Sequence, residues 1–397
     1  MDARKPSIGL ILTGGGARAA YQVGVLSGVL DILDPQHSHG FPNPFPIICG
    51  TSAGAINAAA LACRANAPHE AAERLRYLWE NIHTDMVYRA DPASLFRNGL
   101  QWLSMLALGW ALPTRRGQQP HSLLDNQPLS ELLSKSLDFG RLGQNLERGC
   151  LEALAITAAA YISGEHLIFY QSNTPLLPWT RSLRRAIPSR IGVDHLLASS
   201  AIPFVFPAQA LLVQGACEWC GDGSMRQLAP LSPAIHLGAT KVFVIGTGHR
   251  DDTHAESRRL DSPYPSLAQI SGNALSNIFL DGLSMDVERL ERINELLYLL
   301  PSDTMQSQSL RPITTFAITP SRSLDELALE HLDEMPRAAR TLFRVLGVSS
   351  GSGTETGGAL VSYLLFEASY TQALIQLGRT DSMKRTEEVK AFFKETQ

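Results

Sequence analysis

The 397-residue sequence is short of cysteine, of long apolar runs and of net charge, and each shortage closes off a class of protein. Its five cysteines, Cys49, Cys63, Cys150, Cys217 and Cys220, are odd in number and scattered, unlike the disulfide framework of a small secreted domain. Cys217 and Cys220 have CxxC spacing, but no second CxxC or CxxH pair completes a tetrahedral zinc site, so ordinary thiols and no metal are expected. The densest apolar stretch, LQWLSMLALGWAL at residues 100–112, falls short of the roughly 20 residues that span a bilayer. Trp102, Trp110 and the Arg115-Arg116 pair that follows leave two readings of it: a buried or dimer-facing helix, or a lipid-facing flap. A net charge of -4 gives no global case for nucleic acid, and Arg115-Arg116 and Arg184-Arg185 read as solvated faces. Arg4 and Lys5 precede an apolar run too short for a signal-peptide core, so the expected location is the cytoplasm, with peripheral membrane contact left open.

What the chain has is small residues at the ends of short apolar runs. Residues 8–13, IGLILT, run into Gly14-Gly15-Gly16, and from Ala19 onward Val25, Leu26, Val29 and Leu33 recur at helical spacing. The triple glycine therefore reads as the turn of a strand-to-helix unit, where backbone amides can approach an anion closely. A second run, PIIC at residues 46–49, leads to Gly50-Thr51-Ser52-Ala53-Gly54 and an Ala-rich helix. That context fits a nucleophile elbow exposing Ser52; the plainer alternative is a serine at a helix N-cap.

Further along, residues 151–162 and 166–172 read as antiparallel strands about a turn at Ser163-Gly164-Glu165. A short helix is expected over 194–200, then an irregular apolar stretch bracketed by Pro203 and Pro207, a strand ALLVQG, a glycine turn, a helix to about Leu237 and a buried strand at 241–245. This succession implies parallel α/β winding. Polar residues 251–265 mark the best boundary, dividing the chain into 7–250 and a helical region at 265–397. In that region Val287, Leu290, Ile293, Leu297 and Leu300 make one apolar helix face, residues 349–358 read as a flexible loop, and two more helices follow from Ala359.

Four ordered stretches over about 250 residues make the sequence resemble the patatin-like phospholipases: Gly14-Gly15-Gly16-Ala17-Arg18 for the GGGxR loop, residues 50–54 for the GxSxG elbow, ASSAIPFVFP at 198–207, and Asp222-Gly223-Ser224 for the acid turn. Two residues depart from the pattern, Ala19 and Ser224, where glycine, and glycine or alanine, are usual. The resemblance implies a doubly wound, mostly parallel α/β sheet flanked by helices, and an acyl hydrolase of lipid esters that needs no cofactor. It assigns a catalytic dyad to Ser52 and Asp222, and the oxyanion hole to Gly14, Gly15, Gly16 and Arg18. Gly50 and Gly54 belong to the elbow, Gly223 and Ser224 to the acid turn. Arg18 is expected either to fix the loop or to bias the field at the site.

Three rivals remain at this stage. Gly14-x-Gly16-x-x-Ala19 matches a dinucleotide fingerprint, but its acidic candidates, Asp31 and Asp34, fall at the tail of the first helix and not after a second strand. An ordinary α/β-hydrolase would add a histidine after the acid, with His236, His249, His254 and His331 available; His236 reads better as packing under the sheet. A lipid-binding protein that kept the fold without turnover is the third.

Overall fold

Residues 7–89, 122–248, 264, 266–300, 310–345, 347–348 and 357–394 are described by a computed structural model. The expected flap at 100–112, most of the 251–265 boundary, His249, His254 and nearly all of the 349–358 loop lie outside them.

The two apolar runs that end in glycine become β1 (Ile8–Leu12) and β2 (Ile47–Thr51), parallel neighbours at the centre of the sheet. Strands β3 (Ala153–Ala160), β4 (His166–Ser172), β5 (Thr180–Arg181), β6 (Arg184–Pro188), β7 (Gln209–Val213), β8 (Ala216–Asp222), β9 (Lys241–Ile245) and β10 (Thr314–Ile318) complete it. The order is β10-β9-β1-β2-β3-β4-β6-β5, with the β7–β8 hairpin attached through β8 to β3. From β10 to β3 every pairing is parallel. Beyond β3 the sheet turns mixed, since β4 and β8 both pair with β3 antiparallel.

The central strands are buried on both faces, which is why they read as unbroken apolar runs. Leu10 and Leu12 enter one core, Ile11 the other. Over the first core pack α1 (Ala20–Leu33), α2 (Ala53–Ala62), α3 (Pro68–Glu80), the single turn α4 (Thr84–Val87), α5 (Gln127–Ser136) and α6 (Phe139–Glu147). A buried polar thread joins three of them: Gln22 Nε2 donates to the Thr13 carbonyl at 2.8 Å, Asn57 Nδ2 to Gln22 Oε1 at 2.9 Å, and Trp79 Nε1 to Asn57 Oδ1 at 2.9 Å. Two shorter helices, α7 (Val193–Ser199) and α8 (Ser232–His236), precede β8 and β9.

Among the described residues the C-terminal region is helical apart from one strand. It holds α9 (Leu267–Tyr298), α10 (Leu324–Glu330), α11 (Arg337–Val345), α12 (Gly358–Leu364), α13 (Ala368–Lys384) and α14 (Thr386–Lys394), so three helices and not two follow residue 357. Leu290 and Leu297 of the expected α9 face are buried, Val287 and Ile293 half-buried, and Leu300 lies past the helix end. β10 pairs with β9 from Thr314↔Lys241 to Ile318↔Ile245, adding this region to the same sheet. α13 lies against α1 at backbone distance: a Cβ at Gly378 would overlap the Tyr21 carbonyl oxygen. Tyr21 Oη donates to Asp381 Oδ2 at 3.1 Å across that contact. No described helix is long and apolar enough to cross a membrane.

The Arg184-Arg185 pair departs from expectation. Both residues are half-buried on β6, which is flanked by β4 on one side and β5 on the other, and Arg185 pairs with Glu165 at 2.6 Å. The CxxC spacing falls on extended backbone in β8, where residues three apart face opposite ways; Cys217 is exposed and Cys220 buried.

Candidate active site

Ser52 follows the last residue of β2 and opens α2, with φ 56 and ψ -129. A non-glycine residue at positive φ is held there only by its surroundings. Here the surroundings are Gly54, where a Cβ would overlap the Leu12 carbonyl oxygen, so the elbow is pressed against the end of β1. Ser52 does not cap α2 with its side chain; its Oγ donates to Asp222 Oδ2 at 2.6 Å instead. Ser52 thus occupies the N-cap position of α2, as the plainer alternative had it, but does not cap the helix through its side chain.

Asp222 ends β8, positioned by its register with Ala158 of β3. Its Oδ1 accepts the Ser224 N–H at 2.9 Å, which leaves Oδ2 for the serine. Ser52 and Asp222 are both fully shielded from solvent. Burial pushes the Asp222 carboxyl up to about 6, against the opposing pull of the Ser52 hydroxyl and the Ser224 amide. The carboxylate is thus more basic than an exposed aspartate, yet still ionised in the main at neutral pH.

Residues 198–207 tie the two halves together. Ser199 Oγ accepts the Ser52 N–H at 2.8 Å, and the Ala201 carbonyl accepts the Asp222 N–H at 2.9 Å. Beneath the elbow Thr51 Oγ1 lies 2.7 Å from Thr157 Oγ1 and accepts from Gln227 Nε2 at 2.7 Å. Thr51, Ser199 and Ala201 sit inside the quoted motifs at 50–54 and 198–207, where no role was assigned to them, and Thr157 and Gln227 were not singled out from sequence.

The glycine loop arrives from the β1 side. Thr247 Oγ1 donates to the Gly14 carbonyl at 2.6 Å, and a Cβ at Gly15 would crowd Thr247. Gly16, with φ 54, lines the cavity that holds Ser52. Arg18 is buried, and its guanidinium is engaged by Ser362, Asp325 and the face of Tyr363, the arrangement expected of a loop fastener. The cavity runs from Ser52 along α2 between apolar walls that include Ile56, Leu75, Trp79, Leu133 and Phe366.

The two described histidines downstream of Asp222, His236 and His331, are occupied elsewhere. His236 is packed on Trp179 with ring centroids 4.9 Å apart, and burial beside Arg181 and Arg184 holds its imidazole down to about 4. His331 Nδ1 lies 3.2 Å from Glu334. Asp31 and Asp34, the acids a dinucleotide site would need, bond His37 and Ser38 at the tail of α1. No cluster fit to ligate a metal occurs among the described residues.

The family model for patatin-like phospholipase matches residues 10–235, more than half of the chain and the whole span from glycine loop to acid turn. The chain belongs to the patatin-like phospholipase family. Among solved structures it is similar to VipD from Legionella pneumophila, at 14% identity over 95% of this chain and 69% of that one, with a TM-score of 0.33. It is also similar to human GIVD cytosolic phospholipase A2, at 12% identity over 99% of this chain and 60% of that one, with a TM-score of 0.46. The same human enzyme in complex with methyl gamma-linolenyl fluorophosphonate aligns at 14% identity and a TM-score of 0.40, over 99% of this chain and 60% of that one. No curated protein sequence matches. The patatin-like match ends before β9, so Thr247, Asp325, Ser362 and Tyr363 lie beyond it.

Proposed function

We propose that the protein is a serine acyl hydrolase that cleaves lipid esters through Ser52 and Asp222. The observation that carries this reading is the 2.6 Å hydrogen bond from Ser52 Oγ to a buried carboxylate at one end of an apolar cavity. A serine hydroxyl attacks an ester only if its proton is accepted in the transition state, and a carboxylate made more basic by burial can accept it. Ser52 Oγ bonds to the ester carbon while its proton passes to Asp222 Oδ2, and the carbonyl oxygen becomes an oxyanion facing the Gly14–Gly16 loop. Preorganised amide donors there would be worth about 3 kcal/mol each, on the scale of known oxyanion holes. Collapse expels the alcohol, which takes the proton from Asp222, and leaves acyl-Ser52. Water then attacks the acyl carbon, passing a proton to Asp222, and collapse frees the carboxylic acid as Ser52 recovers its proton.

The walls along α2 favour an acyl chain, because apolar surface buried there gains roughly 25 cal/mol per Å². A fluorophosphonate bearing an alkyl chain should add to Ser52, and Ser52→Ala should abolish both the adduct and fatty-acid release. Release would be measured from phospholipid, lysophospholipid, triacylglycerol and short-chain ester substrates. An adduct mapped to a different serine overturns the assignment.

A further inference from the structure

Helix α12 (Gly358–Leu364), outside the span that matches the family, meets the glycine loop directly. A Cβ at Gly16 would overlap the Tyr363 carbonyl oxygen, so the loop backbone lies against the backbone of α12 with no side chain between them. Two residues on, Arg18 Nε donates to Ser362 Oγ at 2.8 Å, and Arg18 Nη2 pairs with Asp325 Oδ1 at the start of α10. Ser362 Oγ stands 3.0 Å from that same Asp325 oxygen, which closes a triangle. The guanidinium carbon also lies 3.9 Å from the centroid of the Tyr363 ring.

The far side of α12 is anchored as firmly. Tyr88 Oη donates to the Leu364 carbonyl at 3.0 Å, and Thr84 Oγ1 donates to Glu367 Oε1 at 2.7 Å. Phe366, between those two anchors, is a wall of the cavity at Ser52. The C-terminal segment therefore touches both the loop and the cavity.

We infer that Asp325, Ser362 and the Tyr363 backbone are positioning residues for the glycine loop, acting through Arg18 and Gly16 to hold its amides where an oxyanion forms. This rests on the hydrolase reading above. Three successive glycines give the loop more conformational freedom than any other composition would. Oxyanion donors, by contrast, act only when fixed before the charge develops. A buried guanidinium supplies the fixing, because it is costly to leave in any place where its partners are missing. Asp325 keeps 39% of its side chain exposed, so one member of the pair stays hydrated and the desolvation cost is moderated.

The experiment is steady-state kinetics of the full chain on a soluble short-chain ester, for Asp325→Asn, Ser362→Ala, Asp325→Glu and Arg18→Lys. A displaced loop should lower kcat by about tenfold to a hundredfold, the scale for an ångström of misplacement. KM should stay within about twofold, since the loss falls on the transition state alone. Fluorophosphonate labelling of Ser52 should slow in parallel, Asp325→Glu should recover part of the loss, and the acidic limb of the pH profile should keep its midpoint because Asp222 is untouched. Wild-type kcat in folded Asp325→Asn and Ser362→Ala overturns the inference, as does a change confined to KM. Should Asp325→Asn fail to fold, Ser362→Ala, which removes a single hydroxyl, decides by the same criteria. A wild type that neither hydrolyses esters nor takes the label would defeat the hydrolase reading and this inference with it; an active wild type matched by its variants defeats the inference alone.

Discussion

Asp222 ends β8 and bonds Ser52, whereas Asp325 lies at the start of α10 and pairs with Arg18 of the glycine loop; one is inside the span that matches the family and one in the C-terminal helices. Asp222 is fully buried, its partners are a hydroxyl and an amide, and its carboxyl is raised by desolvation. Asp325 is part-exposed and faces a buried cation. The difference matches what each group can do. A base gains from losing water, because desolvation raises its proton affinity. A strut gains nothing from that; it needs a charge partner and a fixed backbone, and a wet carboxylate serves at less cost. Burial without a charge partner therefore separates the proposed base from the proposed strut.

The comparison breaks most sharply under Asp222→Asn. That change keeps the shape of the turn and removes the proton acceptor, so kcat should fall by about 10²–10⁴, with thermal stability near wild type and His236→Ala close to wild type in turnover. A near-active Asp222→Asn beside a dead His236→Ala would return the site to a histidine-based hydrolase.

Acid titration sharpens the same point. With the Asp222 carboxyl at about 6, kcat/KM should decline about tenfold per pH unit as pH falls through that value, because only the ionised form accepts the serine proton. Stability runs the other way. A carboxyl raised from 3.8 to about 6 by folding binds its proton more tightly in the folded chain, so its stabilising contribution is present below 3.8 and is lost as pH rises to 6. A pH-rate profile with its acidic midpoint near 4 would show that the buried carboxylate is not the group being titrated.

A third test separates the cavity from the dyad. Ala60 lies two turns along α2 from Ser52 and lines the same cavity. Ala60→Phe should reduce turnover of long-chain esters at least about tenfold relative to short-chain ones, with the short-chain rate near wild type. Equal losses on both chain lengths would mean that acyl chains do not follow α2.

The smallest effect on chemistry is expected at the α1–α13 contact. Gly378→Ala forces a methyl group into the Tyr21 carbonyl and should destabilise the fold by about 1–3 kcal/mol in denaturant unfolding, while the folded enzyme keeps its kcat. If kcat falls as well, docking of α13 and bracing of the glycine loop by α12 are one event and not two.

The candidate pair was legible in the sequence, Ser52 from its elbow context and Asp222 through the resemblance to a family motif. Ser52 needs small neighbours to hold its positive φ, Asp222 needs a turn that frees one carboxylate oxygen, and both demands leave short motifs at residues 50–54 and 222–224. The central parallel strands were legible for a similar reason, as apolar runs buried on both faces. The outer strands were not: β5 and β6 carry arginines, β8 carries Glu218 and Trp219, and β10 carries exposed and half-buried threonines, so none shows a clear period.

The sequence alone thus determined the order strand, glycine turn, helix, the identity of Ser52 and Asp222 as the candidate pair, and a helical C-terminal region. Tertiary structure alone decided that the pair meet across 170 residues at 2.6 Å, that β10 joins the sheet, and that Arg18 is answered by Asp325 and Ser362. The reason is one of range. Turn strain and apolar periodicity are properties of a few consecutive residues, whereas an aspartate at a helix start and a serine within a helix, over 300 residues from the arginine they hold, satisfy ordinary local rules and become partners only when the chain folds.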